Sequence, residues 1–261
     1  NSNYGNRYYG SAVMYDEGKV LLVGGSNTKY GPPTKTAEVI DLYKGSPPRW
    51  IPVGSMANAR RHHNLTLLAD GKVLATGGTS SDSFNNTSGR ILAAEMWDPA
   101  TANWSTMASM QVTRTYHSTA VLLPDGRVLM AGGGLPAGNG DPNDPQTKQG
   151  NYNAEIYSPP YLFKGGRPTI SSAPGSVGYG QQFFVGTPNA ASISQVNWIR
   201  LSSTTHQFNA NQRLNRLSFT KTSTGLNITT PADRNLAPPG HYMLFILNNG
   251  VPSVAKIIQI S

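Results

Sequence analysis

The chain has 261 residues, 38% hydrophobic and 13% charged, with no cysteine; this is enough to bury a sizeable core in one or two domains, and it excludes disulfides and thiolate metal sites. The net charge of +8, from 21 basic and 13 acidic residues, is spread along the chain with Arg60-Arg61 as the only adjacent basic pair, which argues against a nucleic-acid footprint. No apolar run approaches the roughly 18 residues of a membrane span, and 28 glycines with 19 prolines suit an all-β protein rich in tight turns.

In chain order, a short phrase recurs three times: EGKVLLVGG (17–25), DGKVLATGG (70–78) and DGRVLMAGG (125–133). Each copy leads to Ala-Glu and an apolar run: AEVIDL from Ala37, AEMWDP from Ala94 and AEIYSP from Ala154. A repeat of roughly 50 residues with a strand, Gly-Gly and a later aromatic is the kelch signature, one propeller blade per repeat. Propellers close with roughly four to eight blades, so residues 1–158 predict an incomplete propeller of about three four-stranded blades. Its first strands should begin near Ser11, Asn64 and Ser118, with Trp50 and Trp104 packed between blades. Unpaired blade edges invite association with the missing blades, on a partner chain or in a longer precursor. The stretches 79–90 and 134–152 are too polar and too rich in Gly, Pro, Ser and Asn for regular structure and predict long loops.

The repeat stops after Tyr157. SPPYLFKGGRP (158–168) is a Pro/Gly-rich boundary. Beyond it come short alternating runs: QQFFVGT, SQVNWIRL, RLSFTKT, LNITTP, HYMLFIL and AKIIQI. They predict an immunoglobulin-like β-sandwich over 166–261. Asn-x-Ser/Thr triplets start at Asn64, Asn85, Asn86, Asn103 and Asn227 and have meaning only in a eukaryotic secretory host.

The residues before each first strand align by the repeat. Arg7, Arg60 and Arg114 hold one position, Tyr9, His62 and Tyr116 a second, and Gly10, His63 and His117 a third. First strands of propeller blades surround one axis, so these positions converge at one mouth of the channel. Tyrosine and histidine gathered there suit copper, zinc or iron; they equally suit the packing and hydrogen bonding of the strand heads.

VTRTYHSTAVLLPDGRVLMAGGG, GSAVMYDEGKVLLVGG, NAEIYSPPYLF, STTHQFNANQR and PPGHYMLFILNNGVPSVAKIIQI resemble the C-terminal part of the galactose oxidase and glyoxal oxidase family. The resemblance covers essentially the whole chain. It implies a kelch propeller of about seven blades followed by a sandwich domain. It also implies a mononuclear copper radical oxidase that oxidises a primary alcohol, aldehyde or sugar and reduces O₂ to H₂O₂. Carried over by motif, Tyr116 is the axial copper ligand and the base, while His117 and His206 are the two histidine ligands. Tyr9 and His62 shape the substrate pocket. His63 is repeat-equivalent to His117 without being a family ligand, and His241 reads as a strand residue. The family's tyrosine crosslinked to cysteine cannot form in a chain without cysteine, so the resemblance assigns it to earlier blades.

Two functions remain open on this reading. One is the C-terminal portion of a secreted or cell-surface copper oxidase, inactive as this chain alone. The other is a non-catalytic kelch-plus-sandwich protein that binds glycan or protein at the cell surface, since fold alone does not imply function.

Overall fold

The computed structural model describes residues 2–82, 86–134 and 150–261. The chain is all-β, with only three short 3₁₀ turns among the described residues. The first sheet is a four-stranded antiparallel meander: β1 (Ser11–Asp16), β2 (Lys19–Val23), β3 (Ala37–Asp41) and β4 (Trp50–Val53). The second repeats it with β5 (Arg61–Leu67), β6 (Val73–Thr79), β7 (Ala93–Asp98) and β8 (Asn103–Ser109). The third has β9 (Ser118–Leu122), β10 (Val128–Gly132) and β11 (Ala154–Tyr157), with no fourth strand among the described residues. The fourth strand expected of the third repeat is thus not found among the described residues. The loop after Gly134, as far as residue 149, and the tip of the 79–90 loop lie outside the described residues.

The three sheets share one internal device. Each strand-head arginine donates to the carbonyl of the first glycine of its own Gly-Gly pair: Arg7 to Gly24 (2.9 Å), Arg60 to Gly77 (3.0 Å) and Arg114 to Gly132 (2.8 Å). The same guanidinium reaches the glutamate of the Ala-Glu phrase: Glu38 (2.5 Å), Glu95 (2.5 Å) and Glu155 (3.4 Å). Each carboxylate also accepts a backbone N–H from the segment leading into its sheet, from Asn3 (2.7 Å), Ala57 (2.5 Å) and Gln111 (2.6 Å). One buried charge pair thus ties the head, the second strand and the third strand of every sheet. Burying it is tolerable because the carboxylates and the terminal guanidinium nitrogens find partners, although the Nε atoms of Arg60 and Arg114 do not.

Neighbouring sheets meet at the glycines. β5 packs between β1 and β9. The Gly25 N–H donates to the Arg60 carbonyl (3.0 Å) and the Gly78 N–H to the Arg114 carbonyl (2.7 Å). Gly24 and Gly77 have φ of +63° and +71°, and a Cβ there would stand 2.5 and 2.3 Å from those carbonyl oxygens. Only glycine meets both demands. β5 begins at Arg61, three residues before the expected Asn64, because Arg61 and His63 pair with Thr79 and Gly77 on β6. Trp104 packs against the first hydrophobic core, and Trp50 is not among its members.

The remainder of the chain comprises β12 (Ser176–Val177), β13 (Gln182–Gly186), β14 (Gln195–Arg200), β15 (Thr204–Thr205), β16 (Phe208–Asn209), β17 (Leu214–Arg216), β18 (Phe219–Lys221), β19 (Gly225–Thr229), β20 (Gly240–Asn248), β21 (Val251–Pro252) and β22 (Lys256–Ile260). A six-stranded sheet runs β12-β22-β20-β14-β17, with β21 on β20, and a three-stranded sheet runs β13-β19-β18. β20 reads as a continuous apolar run because both of its faces are buried. Tyr242, Leu244 and Ile246 join the core shared with the three-stranded sheet. Met243, Phe245 and Leu247 join the core of the first three sheets. Asn197 on β14 fixes that second contact by donating to the Ala69 carbonyl at 2.8 Å.

Candidate metal centre

The hairpin β15–β16 lies against β9 and β5. Its two-residue turn is His206-Gln207, with φ of +52° and +54°, the primed geometry that matches strand twist in a hairpin. The motif around it has visible work. Asn209 closes the hairpin by accepting from the backbone N–H of Ser203 at 3.0 Å. Gln212 accepts from the Leu67 N–H (2.9 Å) and donates to the Leu65 carbonyl (2.7 Å), so one side chain pairs with β5 like a strand. Thr119 Oγ1 donates to Thr204 Oγ1 at 2.7 Å and ties the hairpin to β9.

These anchors deliver His206 to the head of β9. Its ring centroid lies 4.9 Å from that of His117 and 5.8 Å from that of Tyr116. Tyr116 and His117 stack at 3.9 Å. On the other side, His62 meets Tyr116 edge-on at 5.2 Å, and Tyr9 lies 4.5 Å from His62. The His62 N–H donates to the Tyr9 carbonyl at 2.9 Å, which joins the heads of β1 and β5. All five sequence-predicted site residues are therefore gathered in one row. His63 is not: it is fully buried, and its Cε1 would stand 2.6 Å from a Cβ on Gly24. Burial, with the nearby Arg60, His62 and Arg7, pushes its imidazole well below the usual histidine range. His241 lies in β20 opposite Gln259, a strand residue as read.

Backbone strain concentrates here. Among the described residues seven non-glycine residues have positive φ, and five of them are Tyr9, His62, His117, His206 and Gln207. Such conformations cost about 1–3 kcal/mol each and persist where the surroundings over-determine them, commonly at functional sites.

The side chains here that could hold a metal are two imidazoles and a phenol; among the described residues no group of three or more His, Cys, Asp or Glu is gathered to do so. Partial burial, and then the neighbouring His206, hold the His117 imidazole below its ordinary value. The Nδ1 of His206 is engaged by Thr205 Oγ1 at 2.5 Å, leaving Nε2 for a ligand. Nitrogen and phenol oxygen together suit a first-row transition metal.

Sequence reasoning missed Arg61. It is fully buried, donates to the Lys29 carbonyl (2.9 Å) and to the Gly31 carbonyl, and stands 5.9 Å over the Tyr9 ring. Its signal was present, since it completes the only adjacent basic pair of the chain.

Residues 167–260 match the galactose oxidase-like early set domain family. The chain is 34% identical to a galactose oxidase of Gibberella zeae over 97% of its own length and 38% of that protein's. It is 36% identical to an aldehyde oxidase, GLOX, of Vitis pseudoreticulata, over 62% of its own length and 33% of that protein's. Among solved structures it matches a fungal alcohol oxidase of the AA5 family in complex with copper, with a TM-score of 0.88 and 28% identity, over 98% of this chain and 54% of that one. The chain thus spans between a third and about half the length of these relatives. With the repeat, the hairpin and these matches together, it belongs to the galactose oxidase and glyoxal oxidase family.

Proposed function

We propose that this chain is the C-terminal portion of a secreted copper radical oxidase that oxidises a primary alcohol, aldehyde or sugar while O₂ is reduced to H₂O₂. In this reading residues 1–158 are kelch propeller blades and residues 166–261 an immunoglobulin-like sandwich. The remaining blades come from an upstream segment of the same precursor or from a partner chain. One observation carries the reading: His206, delivered by a hairpin from beyond the repeats, meets Tyr116 and His117 at the head of β9.

The donors fit copper, since two imidazoles and a phenol are the nitrogen and oxygen ligands Cu(II) prefers. Bound copper would supply one electron-accepting equivalent, and a tyrosine crosslinked to cysteine the other, outside this cysteine-free chain. Tyr116 would take the hydroxyl proton of the substrate, its phenol made acidic by a neighbouring metal. His62 and Tyr9 would form the wall against which the substrate lies. Their strained strand heads hold that wall rigid without help from the substrate.

Calorimetric copper titration of the chain, beside a peroxide-coupled assay, tests this. The chain should bind copper without turnover, the His117→Ala, His206→Ala double variant should lose binding, and the chain joined to its upstream segment should turn over. Copper binding unchanged in the double variant would overturn the site. Turnover by this chain alone would overturn the assignment of the missing cofactor.

A further inference from the structure

A second cleft lies at the end of the first sheet away from the strand heads. Its volume is about 170 Å³, and it is bounded by the β1–β2 turn, by Leu42 and Tyr43 after β3, and by β17 with the segment around Leu236. Glu17 Oε1 accepts from Asn215 Nδ2 at 2.8 Å, and the same amide donates to the Leu236 carbonyl at 3.2 Å. Arg213 donates to that carbonyl as well, at 3.2 Å. The two acceptors fix which end of the Asn215 amide is nitrogen. Its other end is then the carbonyl Oδ1, which finds no donor in the chain although Asn215 is only 1% exposed. A buried acceptor left open in the wall of a cleft calls for a donor from outside the chain.

The repeat does not require these side chains. Where the second and third copies carry Asp70 and Asp125, the first carries Glu17. Asp70 and Asp125 serve their own hairpins, accepting from the Lys72 and Arg127 N–H groups at 3.1 and 2.9 Å. Glu17 instead reaches across to Asn215 on β17. After the third strand the copies read Leu42-Tyr43, Pro99-Ala100 and Pro159-Pro160, so only the first is aromatic. The turn does not select the tyrosine: Asp41 accepts from the Tyr43 N–H at 3.0 Å as Asp98 accepts from the Ala100 N–H at 2.9 Å. Tyr43 lies against the bare backbone of Gly18, where a Cβ would stand 2.5 Å from its Cε2, and it remains 69% exposed. Both departures from the repeat thus line one cleft.

We propose that this cleft binds one sugar ring of a neutral glycan, at a site separate from the metal centre. A pyranose carries hydroxyls that both donate and accept, and a face of C–H groups. The C–H face would lie on the Tyr43 ring, whose π face is negative. One hydroxyl would donate to Asn215 Oδ1 and another to the Glu17 carboxylate. A third would accept from Arg213, whose guanidinium has five N–H donors. Glu17 and Arg213 carry opposite charges, which favours a neutral ligand over an ion of either sign. The volume is below the roughly 300–1,000 Å³ of sites for drug-sized ligands, which suits a single ring. Such a site holds the protein on a polysaccharide and leaves Tyr116, His117 and His206 open. It does not rest on the copper oxidase reading.

The test is an NMR titration of the isotope-labelled chain with the methyl β-pyranosides of glucose, galactose and mannose, each in turn, and with glycerol as a polyol that has no ring. At least one glycoside should shift the Asn215 side-chain amide signals to saturation, and glycerol should not. Tyr43→Ala and Glu17→Gln should each raise the Kd about tenfold. Tyr43→Trp should keep the affinity, which separates loss of the platform from loss of the fold. The His117→Ala, His206→Ala double variant should bind as the wild type does, which separates this cleft from the metal centre. The proposal is overturned if no glycoside moves the Asn215 amide, if glycerol moves it equally, or if Tyr43→Ala binds undiminished. It is also overturned if binding by the chain is lost once the chain is joined to its upstream segment, because the cleft is then the seat of a neighbouring blade.

Discussion

Thr119 and Thr204 share one hydrogen bond of 2.7 Å between their Oγ1 atoms, and it spans the two parts of the molecule that supply the imidazoles. Thr119 is two residues after His117, and Thr204 two residues before His206. The bond therefore fixes the separation of the ligand pair more directly than any contact of the rings themselves. Thr119→Val and Thr204→Val should each lower stability by about 1 kcal/mol and weaken copper binding. The double variant should be less damaged than the sum, because the two changes remove the same bond. Urea unfolding and copper titration of the four proteins measure the coupling; strictly additive effects would deny the bond its role.

The arginine–glutamate pairs should rank by burial. Arg60 and Glu95 are both essentially inaccessible, whereas Glu155 is 18% exposed and its contact with Arg114 is longer. Glu95→Gln leaves a buried guanidinium without a counter-charge and should cost about 3–5 kcal/mol. Glu155→Gln should cost clearly less, because water can reach the stranded charge. Equal losses in chemical denaturation would contradict the ranking.

The first sheet should be the acid-labile one. Burial alone would push the Glu38 carboxyl up, but hydrogen bonds from Ser2, Arg7 and the Asn3 backbone outweigh it and bring it down to about 2. An unfolded glutamate titrates near about 4.3. Since the folded value is the lower one, the stabilisation from Glu38 is complete above about pH 4.3 and is lost as the pH falls toward 2. The slope of stability against pH in that window should flatten in Glu38→Gln, as followed by denaturant midpoints; an unchanged slope would remove Glu38 as its source.

Two glycines at one repeat position separate conformation from contact. Gly77 and Gly132 have φ of +71° and +67°, so alanine at either carries a similar left-handed cost of about 1–2 kcal/mol. A Cβ on Gly77 meets the Arg114 carbonyl at 2.3 Å, whereas on Gly132 its nearest neighbour is the His117 carbonyl at 3.3 Å. Gly77→Ala should therefore be the more destabilising by a clear margin. If the two alanine variants unfold at the same denaturant concentration, close packing at Gly77 is not what selects glycine.

Much of the architecture was legible because the repeat is local. EGKVLLVGG and its copies carry a strand and its glycines within nine residues, and β2, β6 and β10 lie where the phrase places them. The alignment of Arg7, Arg60 and Arg114 was equally visible, but their glutamate partners were not, because Arg7 and Glu38 are 31 residues apart and only folding brings them together. The early start of β5 escaped for a related reason: it depends on pairing with Gly77 and Thr79. The hairpin that delivers His206 has strands of two residues and a His-Gln turn where local signals lead one to look for Asn-Gly. It was reachable through the motif that carries it and through no local propensity. The convergence of Tyr9, His62 and Tyr116 was legible in the repeat alignment, because equivalent strand heads surround one axis, whereas the place of Tyr8 beside Tyr9 shows only in their packing.

The amide of Gly25 on the Arg60 carbonyl, and that of Gly78 on the Arg114 carbonyl, gives the stack of sheets a direction. In both contacts a socket of bare glycine backbone on one sheet receives a carbonyl from the next, so the two successive joins mesh in one sense, like ratchet plates. Two copies brought together by the same side would set socket against socket and leave both empty. Any sheet that extends this array must therefore add head to tail, so the geometry selects heterologous joining over a symmetric pair.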